Sequence, residues 1–224
     1  MKSADFETVG AELYAGALDT QELTLLEDIA SRRLGSAAGV RLSDEPALSQ
    51  ILAAGGALDS IARMRLGESA RPVRAILFDK TAETNWALGW HQDRTIAVKE
   101  RREAPGFGPW SKNGGAHHVE PPFDVMSRMI TLRAHLDACG DDNAPLLIAK
   151  GSHLLGRIPA ETAADVASRL ETLVCLAKPG DVWAYRSAIL HASEASQVKS
   201  HRRVLHVDYA AFALPHELDW LSVA

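Results

Sequence analysis

The segment Gly89–Thr95, GWHQDRT, places the imidazole of His91 two residues before the carboxylate of Asp93. Residues two apart in an extended strand share a face, so both side chains can turn toward one metal ion. The spacing alone is a weak signal, because 9 His and 29 Asp plus Glu in 224 residues give about one such pair by chance. A second copy does occur, at His206 and Asp208. Only a third ligand from elsewhere in the chain can show which of the two copies belongs to a metal site.

His191 can supply that third ligand to the first copy. It follows Asp181–Tyr185, a strand that a Pro-Gly turn introduces, and it lies 98 residues beyond Asp93. Two His and one carboxylate on one face leave positions open on Fe(II), which an oxygenase needs to bind an organic cosubstrate and O₂. The second copy is followed only by His216, too few strands later for a barrel to close around it. The sequence therefore favours His91, Asp93 and His191.

Three helices are predicted in the first 70 residues. The first begins at a capping box, in which the N-cap and the third helical residue exchange side-chain-to-backbone hydrogen bonds, and an apolar stripe follows at helical spacing. The other two end at glycines, which commonly terminate helices. The signals are Asp19–Glu22 with Leu23, Leu26, Ile29, Ala30 and the stop at Gly35; about Asp44–Pro46 to Gly55–Gly56; and Leu58, Ile61 and Met64 before Gly67.

From Pro72 onward the sequence changes to short apolar or alternating runs bounded by Gly, Pro, Asp and Asn, a pattern typical of strands. A type II turn is predicted at Pro179–Gly180 and an inserted helix at Ala160–Leu170. Helices followed by many short strands predict one α+β domain, mainly helical over 1–70 and a two-sheet jelly roll over 71–224. The predicted strands are Val73–Phe78, Met129–Leu136, Leu146–Ala149, Leu173–Leu176, Val182–Tyr185 and Val204–Phe212.

The segment 99–122 is too long and too rich in Gly and Pro for a plain connection. It carries Trp110, His117 and His118, and segments of this kind inside a domain tend to be lids or binding loops. We therefore predict a lid over the substrate, with a disordered insertion as the alternative.

Bulk composition points to a small-molecule partner. The 24 basic and 29 acidic residues contain no long basic run, which argues against nucleic acid and against an anionic membrane surface. No apolar stretch of membrane-spanning length and no signal-peptide core occurs. Cys139 and Cys175 are far apart and suggest reduced thiols in the cytoplasm. No oligomeric state is predicted.

Further motifs stand around the metal-site candidates: Trp90–Asp93, Asp142–Leu146 with Gly151–His153, Pro179–Asp181, His191–Ser193, and Arg202 eleven residues beyond His191. With these motifs the chain resembles the phytanoyl-CoA dioxygenase family of Fe(II)/2-oxoglutarate oxygenases over nearly its whole length. The resemblance implies a cupin-like double-stranded β-helix with the N-terminal helices packed on one sheet. Two turns depart from the family pattern: Asn143-Ala144 replaces Asn-Gly, and Lys150 replaces the Pro of Pro-Gly-Ser-His.

The resemblance also implies a mechanism. His91, Asp93 and His191 would hold Fe(II), with 2-oxoglutarate and O₂ in the three remaining positions. Arg202 would bind the far carboxylate of 2-oxoglutarate as a planar bidentate cation, and Ser193 would donate a hydroxyl to the same carboxylate. A C–H bond of a small molecule would be hydroxylated, and succinate and CO₂ would be released.

Four further residues have two interpretations each. Gln92 either orients the cosubstrate or faces solvent, and Asn85 either binds the cosubstrate or belongs to a turn. Thr131 and Arg133 lie on the polar face of an alternating strand. They line the pocket if that face is inside the barrel, which the family resemblance favours, and they are surface groups otherwise.

Two other functions remain open at this point. A non-oxidative metal-dependent cupin-type isomerase or hydrolase would keep the three ligands but would have no use for Arg202 and Ser193. A catalytically inactive binding module is the second alternative, and the intact ligand set argues against it.

Overall fold

The strands of the described residues are β1 Ala11–Tyr14, β2 Gly39–Arg41, β3 Arg71–Lys80, β4 Leu88–His91, β5 Ile96–Val98, β6 Trp110–Asn113, β7 Ala116–Val119, β8 Ile130–His135, β9 Leu146–Ala149, β10 Thr172–Cys175, β11 Val182–Arg186, β12 His191–Ser193 and β13 Arg202–Ala210. The two longest strands, β3 and β13, pair antiparallel within a six-stranded sheet with the order β1-β11-β8-β13-β3-β2. The computed structural model describes residues 4–43, 45–198 and 200–223. A second sheet has the order β10-β9-β12-β4, and a small third sheet has the order β5-β7-β6.

The helices are α1 Ala4–Val9, α2 Thr20–Arg33, α3 Leu48–Ile51, α4 Ala57–Leu66, α5 Phe123–Ser127 and α6 Ala163–Ser168, with 3-10 turns at Ser152–Leu155 and Ala160–Thr162. The predicted capping box is present: the side chain of Asp19 accepts from the backbone N–H of Glu22, and Glu22 accepts from that of Asp19. Helix α4 ends at Gly67 as predicted, but Met64 is half exposed. The second predicted helix is reduced to α3, and Asp44, where it was expected to begin, lies outside the described residues.

Strand β8 divides its residues between the two faces of the six-stranded sheet. Leu132 and Ala134 lie in the hydrophobic core that the N-terminal helices share with this sheet. Thr131 donates a hydrogen bond to Asp208, and Arg133 lines an internal pocket. The polar face of the strand is therefore inside the barrel. The fold is an α+β double-stranded β-helix with helices on one sheet, as the sequence predicted.

Two features of the chain differ from the sequence-based expectation. The first 70 residues contain β1 and β2, which form the two edges of the six-stranded sheet, so this part is not only helical. The segment 99–122 is not an irregular loop, because β6 and β7 form a hairpin and β7 pairs with β5. Short edge strands and hairpins depend on pairing with distant segments, which local periodicity does not report.

The predicted Pro-Gly turn before β11 is present, with Gly180 at φ 88. This conformation is one that glycine adopts without a steric cost. Cys139 and Cys175 are both buried and free. No helix among the described residues is long and apolar enough to cross a membrane.

Candidate metal centre

The pairing of β4 with β12 brings His91 and His191 together. They are direct cross-strand partners, and their ring centroids are 4.2 Å apart. Asp93 follows two residues after His91, just beyond the end of β4. One ligand atom from each of the three residues lies within 4.8 Å of the other two. We call this set the His-Asp-His cluster.

Backbone carbonyls orient both imidazoles of the cluster. Nδ1 of His91 donates to the carbonyl of Gly89 at 2.7 Å, and Nδ1 of His191 donates to the carbonyl of Ile189 at 3.1 Å. Since each Nδ1 carries the proton, each Nε2 keeps its lone pair for a metal. Burial, and to a smaller extent His91, lowers the pKa of His191 to about 4 despite the opposing effect of Asp93, so this imidazole is neutral at physiological pH.

Asp93 has an oxygen atom that fits a metal ion. Its Oδ2 is buried and accepts no hydrogen bond, and the nearest cation in contact with it is Arg74, with Nη2 4.0 Å away. A buried carboxylate oxygen without a partner is costly unless a cation satisfies it. Two imidazole nitrogens and one such oxygen form the 2-His-1-carboxylate donor set that suits Fe(II) and leaves positions open. The residues present therefore fit iron.

The cluster opens into a pocket of about 120 Å³, which Arg133, Ser193, Arg202 and His206 also line. Apolar walls come from Phe78, Trp86, Leu88, Leu146 and Ala192. The metal candidates and the predicted cosubstrate residues Arg202 and Ser193 thus share one cavity.

Two arginines in this pocket are buried without an acidic partner. Arg202 is 3% exposed and Arg133 is 8% exposed, and neither forms an ion pair with any carboxylate that the structure describes. Nε of each is buried and makes no hydrogen bond. Burial and the charge of Arg133 lower the pKa of Arg202 to about 10. The pocket is therefore desolvated and positively charged, an environment that an anion would stabilise.

Arg203, next in sequence, points to the other face of β13. Its side chain donates to both carboxylate oxygens of Asp137, at 3.0 and 2.7 Å. Of the two adjacent arginines, only Arg202 reaches the pocket.

Lys80 is a site residue that the sequence analysis missed. It is fully buried and lies opposite Arg202 in the pairing of β3 with β13. Its Nζ donates to Oγ of Ser193 at 3.1 Å and to the carbonyl of Glu194 at 2.6 Å. Burial, then Arg202 and Arg133, lowers the pKa of Lys80 to about 8. The alternation of β3 puts Lys80 on the same face as the pocket residue Phe78, and this signal could have found it.

Ala144 occupies the position of the glycine in the family's Asn-Gly turn. It adopts φ 50, a left-handed conformation that favours glycine. Its carbonyl accepts hydrogen bonds from Arg202 and from Ser193. The strained turn therefore orients the two residues that were predicted to bind the cosubstrate.

The second His-x-Asp copy lies in the same barrel. Nε2 of His206 contacts Oδ1 of Asp208 at 3.1 Å, and Asp208 also accepts from Thr131 and from Nε of Arg74. Burial alone would raise the pKa of Asp208, but Arg74 and His206 hold it well below its usual range. These contacts occupy the carboxylate, so the second copy is not arranged for a metal. His206 nevertheless lines the pocket, and its Nδ1 is buried without a partner.

Two predicted cosubstrate residues point elsewhere. Gln92 donates to the carbonyls of Gly156 and Ala188 and accepts from the N–H of Ile158, so it neither faces solvent nor enters the pocket. Asn85 exchanges two hydrogen bonds with the backbone of Ser196 and joins two loops. Neither residue lines the pocket around the His-Asp-His cluster. Local spacing could not reveal this, because their partners are distant in sequence.

Thr131 lies inside the barrel but outside the pocket. Its hydroxyl is hydrogen-bonded to Asp208 and to Ser187, and it does not line the pocket.

The predicted lid residues lie in the β6–β7 hairpin and do not line the pocket around the His-Asp-His cluster. His118 is buried, whereas Trp110 and His117 are partly buried. The segment approaches the cluster at its end, where Glu120 and Pro121 border a small cavity together with Asp93.

A double-stranded β-helix that carries two His and one carboxylate at the end of one sheet defines a class of non-haem metal proteins. The family model described as phytanoyl-CoA dioxygenase matches residues 27–204. The chain belongs to this family. No curated protein matches the sequence significantly.

Solved structures share the fold at low sequence identity. EctD from S. alaskensis with bound Fe has a TM-score of 0.69 and 18% identity, covering 93% of this chain and 75% of EctD. HygX from Streptomyces hygroscopicus with nickel and 2-oxoglutarate bound has a TM-score of 0.66 and 14% identity, covering 95% and 88%. The non-heme alpha ketoglutarate dependent epimerase SnoN from nogalamycin biosynthesis has a TM-score of 0.64 and 16% identity, covering 92% and 79%.

Proposed function

We propose that this protein is an Fe(II)- and 2-oxoglutarate-dependent oxygenase that hydroxylates a C–H bond of a small molecule. One observation carries the proposal: a single pocket contains the His-Asp-His cluster and also a buried arginine, Arg202, that has no acidic partner among the described residues. A metal-dependent isomerase or hydrolase would need the cluster but would not need a desolvated cation beside it.

In the proposed enzyme His91, Asp93 and His191 would hold Fe(II) through two Nε2 atoms and a carboxylate oxygen. The carbonyls of Gly89 and Ile189 keep both imidazoles in the tautomer that binds a metal. When bound, the iron supplies the reaction of O₂ with 2-oxoglutarate, which releases CO₂, puts one oxygen atom into succinate and inserts the other into the substrate C–H bond.

Arg202, Ser193 and Lys80 bind the far carboxylate of 2-oxoglutarate. The guanidinium of Arg202 provides a planar donor pair, and Lys80 adds charge beside Ser193. The hydroxyl of Ser193 has one proton, which it donates to the carbonyl of Ala144 in the free protein, so it turns toward the carboxylate when the cosubstrate binds. Arg133 contributes a second buried guanidinium to the same pocket. Because these cations are already desolvated, binding of the dicarboxylate relieves their mutual repulsion.

The family and its structural neighbours support the proposal. HygX has been solved with nickel, 2-oxoglutarate and hygromycin B, and EctD has been solved with 2-oxoglutarate and 5-hydroxyectoine. SnoN is described as an epimerase, so the outcome at the substrate carbon needs its own test.

The test measures succinate. The apoprotein is loaded anaerobically with Fe(II) and 2-oxoglutarate, air is admitted, and succinate is quantified with and without a panel of small metabolites. We expect Fe(II)-dependent succinate that a true substrate accelerates, with a product heavier by one oxygen atom. If succinate forms but the mass of the product equals that of the substrate, the reaction is an epimerisation and not a hydroxylation. Absence of succinate, although Fe(II) and 2-oxoglutarate bind, would favour the non-oxidative or inactive alternatives.

A further inference from the structure

Arg41, on the edge strand β2, is a further arginine with a buried nitrogen atom that has no partner among the described residues. It lies opposite Ile76 in the pairing of β2 with β3, so it shares the inner face of the sheet at the rim of the barrel. Its Nε is buried and makes no hydrogen bond, and no carboxylate of the described residues pairs with it. The side chain as a whole is only partly buried, so a ligand can reach it from solvent.

The surroundings of Arg41 are cationic and polar. Burial, then the charge of Arg74, lowers the pKa of Arg41. Burial, then Arg41 and Arg74, lowers the pKa of His118, whose buried Nε2 also has no partner. Arg74 in turn lies 4.0 Å from Asp93. The pairing of β5 with β7 places His118 opposite Ala97, and Nη1 of Arg74 donates to the carbonyl of Thr95, next to β5. Since Gly114 of the same hairpin lies against Arg41, both groups lie on the side of the His-Asp-His cluster that Arg74 borders.

Two carboxylates match the charge of Arg74, but none among the described residues pairs with Arg41. Arg74 donates to Asp208 at 2.5 Å and faces Asp93. Arg41 does not line the pocket that holds Arg202, so the proposed cosubstrate does not account for it. In that pocket, buried guanidinium nitrogens without partners mark the place where a carboxylate is expected. The same property recurs at Arg41 on another side of the cluster.

The turn of the β6–β7 hairpin lies against one edge of this guanidinium. A Cβ added at Gly114 would lie 3.0 Å from Nη1 of Arg41, and Gly114 adopts φ 58. The segment 99–122 thus contacts Arg41 through a residue without a side chain, and it supplies His118 as a second polar group.

We propose that Arg41 and His118 form a second anion site, which binds a carboxylate or phosphate group of the primary substrate beside the metal centre. The proposal rests on the proposed function and narrows its substrate to an anionic small molecule. A guanidinium binds either group through paired donors, and the imidazole nitrogen adds a further hydrogen bond. The substrate would then lie between the hairpin and the rim of the six-stranded sheet, with its uncharged part toward the His-Asp-His cluster.

The test uses the complex with Fe(II) and saturating 2-oxoglutarate under anaerobic conditions, so that the cosubstrate already occupies the pocket of Arg202. Inorganic phosphate and acetate are titrated separately by calorimetry, and the two arms distinguish a phosphate from a carboxylate ligand. We expect saturable binding of at least one anion, and a loss of about tenfold or more in Arg41→Gln, which corresponds to about 1.4 kcal/mol. Arg203→Gln is the matched control, because Arg203 is paired with Asp137 on the other face, and its affinity for the anion should be unchanged.

Two outcomes would overturn the anion site. One is the absence of saturable binding of both anions to the wild-type complex, and the other is unchanged affinity in both Arg41→Gln and His118→Gln. Anion binding directly to the iron belongs to the second outcome, since neither substitution would affect it. The affinity for 2-oxoglutarate is measured in each variant and should stay within about twofold of wild type. Failure of the wild-type protein to bind Fe(II) and 2-oxoglutarate would instead contradict the proposed function.

Discussion

Replacing Arg202 by methionine should stabilise the free protein and weaken the binding of 2-oxoglutarate. The pKa of Arg202 falls from 12.5 to about 10 in the folded state, mainly because of burial and next because of Arg133. A base whose pKa is lowered by folding destabilises the folded state at every pH below that pKa. The decrease corresponds to about 3 kcal/mol. Loss of the hydrogen bond to the carbonyl of Ala144 costs about 1 kcal/mol.

The net expectation for Arg202→Met is a gain of about 2 kcal/mol in the free energy of unfolding of the metal-free protein. For a chain of this size that gain raises Tm by about 4 to 8 °C. The affinity for 2-oxoglutarate should fall by about 2 to 5 kcal/mol, as when one partner of a desolvated charge pair is truncated, hence roughly 30-fold or more. Ligand-induced stabilisation, which follows the ratio of ligand concentration to Kd, should shrink accordingly.

The measurements are thermal unfolding of the metal-free protein, thermal unfolding in the presence of Fe(II) with and without 2-oxoglutarate, and a direct titration of 2-oxoglutarate. Arg203→Met serves as the control. It breaks only the partly exposed pair with Asp137 and should cost about 0 to 1 kcal/mol without affecting the cosubstrate. A large loss of affinity in the Arg203 variant with normal affinity in the Arg202 variant would refute the reasoning. So would an Arg202→Met protein that is less stable than wild type.

Three further predictions follow from the same pocket. His91→Ala should abolish iron binding, because two remaining ligands hold Fe(II) poorly. His206→Ala should keep iron but bind 2-oxoglutarate more weakly. If metal analysis found iron in the His91 variant and none in the His206 variant, the choice between the two His-x-Asp copies would be contradicted. The pKa of Lys80 is about 8, so its positive charge is present below that pH and is lost as the pH rises through it. The affinity for 2-oxoglutarate should therefore fall above pH 8, by at most about tenfold per pH unit, and a pH profile of Kd that is identical in Lys80→Met would exclude this role. Gln92→Ala should cost about 3 kcal/mol in chemical denaturation, since it leaves buried backbone groups without partners; a loss of cosubstrate affinity at full stability would instead indicate a binding role.

Local chemistry in the sequence was enough for several features of this protein. The capping box at Asp19, the glycine stop of α4 and the Pro-Gly turn before β11 depend on residues within one turn of each other, and all three are present. Period-2 alternation identified the strands and the polar face of β8. The spacing of His91 and Asp93, together with the later His191, indicated a metal site before any tertiary contact was known.

Only the tertiary structure decided which strands meet, and pairing determines what each residue does. The register of β4 with β12 places His91 opposite His191, whereas the carboxylate of the second copy is taken by Arg74 and Thr131. Periodicity left the orientation of Arg202 and Arg203 open, because the residues that follow them are apolar on both faces of the strand.

The same limit explains the residues that sequence reasoning misplaced or missed. Gln92, Asn85 and Lys80 have partners between 64 and 114 positions away, and spacing within a strand does not report such distant contacts. No local pattern in the sequence distinguishes Arg41. Its position follows only from the pairing of β2 at the sheet edge and from its contact with the hairpin turn. The sequence determined the types and local order of the reactive groups. The long-range pairing of the strands determined which of these groups share a desolvated pocket, and there an unpaired charge or a free lone pair can bind a ligand.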